Sequence, residues 1–151
     1  MSTRRDMIKS GAALVGLLAG LLPAAAHAEA LPKTAFDAKT LDELYKQLGL
    51  SKPVASNEVT LVAPDIAENG AVVQVTMGSS APGVKRLLLL IEKNPNVLTA
   101  SYDINDAIEP SVVTRVKMGQ SSNVYAVAIT ADNKVLFAQK EVKVTLGGCG
   151  G

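Results

Sequence analysis

The single cysteine of the chain is Cys149, and it stands in the run Gly147-Gly148-Cys149-Gly150-Gly151. A thiolate is a strong nucleophile and disulfide former, so this is the residue with the most chemistry to offer. Cysteine is ordinarily among the most buried residue types. A glycine tail has no side chains to bury it with, and each glycine loses unusually much entropy on ordering. The pattern predicts a thiol on a thin, flexible arm, with Gly147, Gly148, Gly150 and Gly151 giving the flexibility. A glycine-rich terminus can also be no more than a frayed end. The symmetry of the four glycines around the only cysteine argues for the arm. Two residues after the cysteine do not make a prenylation box, which needs three. A lone cysteine is not a zinc site, which takes about four ligands.

Nothing near the thiol activates it. The arm carries no Lys, Arg or His, and a carboxylate two residues on disfavours the thiolate. The only histidine, His27, falls in an amino-terminal leader, so the mature chain has no imidazole. That removes Ser-His-Asp and Cys-His arrangements and argues against zinc, copper or haem. No stretch pairs carboxylates for acid/base work, and no phosphate-binding glycine loop is present. The expectation is a chain with no catalytic constellation, no metal and no cofactor of its own. Any activation of Cys149 must come from partners.

Thr3-Arg4-Arg5-Asp6-Met7-Ile8-Lys9 is a twin-arginine pattern, with Arg4 and Arg5 as the export signal. An Ala/Gly/Leu-rich run over 11–26 and the small-residue site Ala26-His27-Ala28 come next. The run is shorter than the about 20 residues of a membrane-spanning helix. Residues 1–28 are therefore predicted to be a cleaved twin-arginine signal peptide, with the mature chain starting at Glu29. The destination is the periplasm, where disulfides form. Without Arg4, Arg5, Lys9 and Asp6 the chain keeps 12 basic and 13 acidic residues, a formal charge of −1. That balance argues against a nucleic-acid binder. One cysteine excludes an internal disulfide framework. Trp is absent and aromatics make up 3% of the chain, so the core must be aliphatic.

The arm has to be mounted on something. Residues 29–146 are predicted to form that body and 147–151 the arm. Thr40-Leu41-Asp42-Glu43 is a capping box, although Asp37 is an alternative cap. Leu41, Leu44, Tyr45 and Leu48 then make one apolar helix face, and Gly49 suits the C-cap. After Pro53 the pattern turns to strands, expected over 57–63, 71–77, 85–93, 97–104, 111–118, 123–130, 134–139 and 140–146. Asn69-Gly70 is a turn that tolerates positive φ. Leu87 to Ile91 is an unbroken apolar run, which suits a central strand covered on both faces. A short buried helix gives the same signal, but Pro82-Gly83 and Asn94-Pro95-Asn96 at its ends favour a strand. About seven or eight strands at this spacing indicate an all-β, immunoglobulin-like antiparallel β-sandwich with a short N-terminal helix; a β-barrel is the alternative.

The chain resembles the SoxY family, the sulfur-carrier subunits of periplasmic thiosulfate-oxidising systems. The resemblance is carried by the twin-arginine leader, APDIAENGAVVQV (63–75), LLIEKNPN (89–96), RVKMGQSSNVYAV (115–127) and KEVKVTLGGCGG (140–151). Gln74 departs from the family, where proline is common. The resemblance implies that Cys149 holds the substrate covalently. It implies a heterodimer with SoxZ, a second small β-sandwich protein exported with its partner. It implies transient visits to SoxAX, a c-type cytochrome that joins thiosulfate to the thiol; to SoxB, a dimanganese hydrolase that releases sulfate; and in some organisms to SoxCD, a sulfane dehydrogenase. Two other classes remain beside the carrier: a thiol-dependent redox enzyme, which would lack a base and a resolving thiol, and a structural module joined as a Cys149 disulfide dimer.

Overall fold

Leu87, Leu88, Leu89, Leu90 and Ile91 are all fully buried, yet they serve two different cores. In the computed structural model, which describes residues 30–147, Leu87, Leu89 and Ile91 point into a sandwich between two sheets. Leu88 and Leu90 point the other way, under a helix. This is the alternation of a strand buried on both faces, so the run is a central strand as expected.

The described residues run through a 3-10 turn (Lys33–Asp37), helix α1 (Leu41–Gln47) and nine strands. These are β1 (Val54–Ala55), β2 (Val59–Val62), β3 (Ile66–Ala67), β4 (Val73–Ser79), β5 (Val84–Ile91), β6 (Leu98–Asp103), β7 (Ser111–Val116), β8 (Ser122–Thr130) and β9 (Val135–Val144). The larger sheet has the order β1-β9-β8-β5-β6, with β3 also on β9; the smaller has the order β2-β4-β7. The predicted two-sheet sandwich with one short N-terminal helix is thus the observed fold. It is not wholly antiparallel, because β1 and β3 run parallel to β9. Both are two-residue patches laid along the free edge of β9. They cover the backbone groups that a long edge strand would leave open. The expected strands at 134–139 and 140–146 are one continuous strand, paired with β8 from Ile129↔Val135 to Ser122↔Val142.

Two bulges on β5 pairings set which residues face which core. Thr99 is the extra residue between the pairs Leu89↔Ala100 and Leu90↔Leu98. An extra residue reverses the facing of the residues beyond it, so Leu98 packs under the helix and Ala100 in the sandwich. Lys85 does the same between Val84↔Thr130 and Arg86↔Ile129.

Helix α1 has Thr40 as its N-cap, whose hydroxyl accepts from the Glu43 N–H at 3.2 Å. The Glu43 carboxylate reaches back to the Lys39 N–H at 2.9 Å, one residue before the usual capping-box target. Gly49, at φ 61°, ends the helix. Its N–H bonds to Lys46 O and that of Leu50 to Tyr45 O, the paired bonds of a Schellman motif. The Asn69-Gly70 turn does not use positive φ; instead Asn69 Oδ1 accepts from the Ala71 N–H at 2.9 Å. The one non-glycine residue at positive φ among those described is Asn133, at 61°, in the tight turn between β8 and β9.

Candidate functional site

Strand β9 ends at Val144, and the last residues described after it are Thr145, Leu146 and Gly147. The chain is held at each of residues 143 to 146. The Lys143 N–H donates to Asp65 O at 2.9 Å and the Thr145 N–H to Ala67 O at 3.1 Å. The Thr145 hydroxyl donates to Glu68 O at 3.0 Å. The Val144 N–H donates to Ser121 Oγ at 2.9 Å. Leu146 O accepts from the Gly70 N–H at 2.7 Å. Gly147 is half-buried, and a Cβ there would collide with the carbonyl oxygen of Gly119.

Three turns therefore form a collar around the exit. The turn after β3 holds Asn69 and Gly70, and Gly70 O accepts from the Met118 N–H at 2.7 Å. The turn after β7 holds Gly119, Gln120 and Ser121. The turn after β5 holds Asn94, whose amide grips the backbone on both sides of Met118. Asn94 Nδ2 donates to Lys117 O at 2.8 Å, and Asn94 Oδ1 accepts from the Gly119 N–H at 3.2 Å. The Lys93 N–H donates to Ser122 Oγ at 3.0 Å. The stretches 63–75, 89–96, 115–127 and the described part of 140–151, far apart in sequence, meet here.

The collar has no catalytic set. Among the described residues, no three His, Cys, Asp or Glu side chains are grouped to hold a metal ion. Lys140 Nζ donates to Ala63 O at 2.6 Å and pairs with Asp65 at 2.9 Å, but Asp65 is 89% exposed, so the pair contributes little. The shifted protonation equilibria lie elsewhere. At the far end of β9, the Thr130 hydroxyl and then Lys134 lower the Asp132 pKa. On the helix side, burial pushes Tyr45 up to about 12, with Tyr125 and Asp42 adding to it. Burial, then the charge of Glu92, raises Tyr125 as well. A shallow cavity of about 310 Å³ lies on the smaller sheet, lined by Gln74, Val113, Thr114 and Arg115, a set with no nucleophile activated by a base.

Of the residues singled out from the sequence, Gly147 sits at the collar. Arg4, Arg5, the expected cleavage site, Gly148, Cys149, Gly150 and Gly151 lie outside the described residues. Sequence reasoning missed Asn94, Gly119 and Ser121 as parts of the site. Their only signal was turn composition, which says nothing of what a turn touches.

The family model for "Sulfur oxidation protein SoxY" matches residues 45–149. The sulfur carrier protein SoxY from Chlorobium limicola f thiosulfatophilum is 32% identical, with a TM-score of 0.62 over 70% of this chain and 94% of that one. A superoxide reductase (neelaredoxin) from Ignicoccus hospitalis is 20% identical, with a TM-score of 0.52 over 58% of this chain and 80% of that one. At that identity the likeness shows the fold alone. Comparison with curated proteins gives no match. The matched region holds all nine strands, all three turns of the collar and the cysteine beyond it, and the chain belongs to the SoxY family of sulfur carrier proteins.

Proposed function

We propose that Cys149 is the point at which this carrier holds its cargo, as a sulfur–sulfur bond formed between its thiol and thiosulfate. The observation that carries this reading is the extent of the family match, which reaches residue 149 itself. SoxY-family proteins act with SoxZ and with other enzymes of the sulfur-oxidising system. For this chain we assign a one-to-one complex with SoxZ and transient docking to SoxAX, SoxB and, where present, SoxCD. The mature protein works in the periplasm, exported through Arg4 and Arg5 and cut before Glu29.

The chemistry balances through the partners. Thiolate and thiosulfate join with loss of two electrons to the cytochrome partner, giving the S-thiosulfonate of Cys149. Hydrolysis then adds water, releases sulfate and two protons, and leaves a persulfide on the cysteine. The carrier supplies the attachment atom and its placement; the redox and hydrolytic groups belong to the enzymes visited.

Intact mass of the periplasmic complex, before and after thiosulfate, tests the reading. Wild type should begin at Glu29 and gain a thiosulfonate adduct that is removed by reductant. Cys149→Ser should gain none and should abolish sulfate release by the reconstituted enzymes, because an alcohol cannot form the sulfur–sulfur bond. An adduct on the serine variant would overturn the assignment.

A further inference from the structure

We propose that Gly147 is a positioning residue, the fixed root from which Cys149 is presented. This rests on the carrier reading of Cys149 and adds where its tether is pinned.

The case starts from why residue 147 has no side chain. A glycine is required either by backbone angles or by space. The described glycines with positive φ are Gly49 and Gly83, and Gly147 is not among them. Its φ therefore lies outside the left-handed region that favours glycine. What excludes a side chain is the Gly119 carbonyl oxygen in the space a Cβ would take, with the carbonyl carbon 3.4 Å from where that Cβ would be. This neighbour is backbone and has no rotamer to swing away.

Nor is the Gly119 backbone loose. Its N–H is held by Asn94 Oδ1 at 3.2 Å, and the preceding Met118 N–H by Gly70 O at 2.7 Å. Gly70 also holds Leu146 O at 2.7 Å. Residues 143 to 146 each make a backbone hydrogen bond to the collar or to the strand leading into it. No slack remains until Gly147 has passed Gly119. From there Cys149 is two residues away, at most about 7 Å of chain. A thiol on so short a tether starts from a fixed origin. Less freedom is then lost when it enters a partner's active site.

Gly147→Ala tests this beside Gly150→Ala, both in the mature protein bound to its partner subunit. In Gly147→Ala the exit must lift off the collar. The Gly70 and Thr145 amides should exchange roughly tenfold faster, the effect of losing about one hydrogen bond, while the Leu89 amide keeps its protection. A nitroxide label on Cys149 should give narrower lines. In sulfate release with the carrier as varied substrate, KM should rise several-fold while kcat changes little. Gly150→Ala should match wild type in exchange and line width. If Gly147→Ala folds poorly, Asn94→Ala, which unties Gly119, should narrow the label's lines in the same way. Wild-type exchange and line width in both Gly147→Ala and Asn94→Ala would overturn the proposal. So would a Gly150→Ala protein that behaves like Gly147→Ala. Exchange and label mobility are read without any sulfur cargo, so failure of Cys149 to load thiosulfate would remove the carrier reading and leave this result standing on its own.

Discussion

The two faces of the larger sheet are covered in different ways. One face meets the second sheet, and its core draws on β2, β4, β5, β7, β8 and β9 with side chains that are almost all aliphatic. The other face meets the 3-10 turn and α1, and it gathers Tyr45, Tyr125 and Phe137 around Leu44, Leu88 and Leu90. Tyr125 and Phe137 lie with ring centroids 6.0 Å apart. A seven-residue helix is too short to persist by itself, so this cover depends on packing and on a few ties, such as the Val97 N–H to Ala38 O at 3.0 Å. The sandwich is shared among strands distant in sequence and cannot open in part. The cover comes from one continuous segment, so it is expected to open as a unit by itself. The difference also bears on the candidate site, because the collar around the end of β9 is built from turns of the sandwich and none of the cover.

The largest effect should come from the sandwich. Leu89 is fully buried there. Leu89→Ala removes its transfer energy and leaves a cavity in a rigid two-sheet core, at a cost of about 2–5 kcal/mol. Denaturant unfolding should stay a single transition with a lowered midpoint. A midpoint shift worth less than about 1 kcal/mol would mean that the core relaxes around the gap.

Leu44→Ala should cost less, near the low end of the same range at about 2 kcal/mol. Leu44 is also fully buried, but α1 can detach locally. Hydrogen exchange should show α1 amides losing protection while those of β5 and β8 keep theirs. Equal loss of protection in α1 and β5 would make cover and sandwich one cooperative unit, and the contrast between the two faces would fall.

The same contrast explains what was legible beforehand. Helix α1 could be read because its signals are local: Thr40 as cap, Leu41, Leu44, Tyr45 and Leu48 on one face, Gly49 at the end. Leu87 to Ile91 could be read as a doubly covered strand because its length and flanking turns restrict the choice. What stayed hidden is non-local. Strands β1 and β3 are two residues each and exist only because β9 lies beside them. The bulges at Lys85 and Thr99 change facing without a composition signal, and the break placed between residues 139 and 140 fell inside a strand that β8 pairs without interruption. The sequence groups Gly147 with the glycines after it, but only the fold shows that Gly147 is set against Gly119.

The smallest effect separates the two faces by pH. Tyr45 is the group at the seam between α1 and the larger sheet, and burial holds its pKa at about 12 against the ordinary value of 10.0. In the unfolded chain the phenol ionises near pH 10, whereas in the folded protein it stays neutral to about pH 12. Over that window the unfolded state binds fewer protons than the folded state, so ionisation favours unfolding as pH rises. The stability linked to Tyr45 is therefore whole below pH 10 and is lost toward pH 12. Tyr45→Phe removes this one titration. Its Tm should fall less steeply than wild type between about pH 10 and pH 12, and the two curves should run parallel below about pH 9. Tyr125, raised in the same direction, remains in both proteins, and its charge is one cause of the Tyr45 shift, so the difference reads Tyr45 together with that coupling. Curves that stay parallel through about pH 12 would show that Tyr45 is open to water in solution, and so that the helical cover already breathes at the seam.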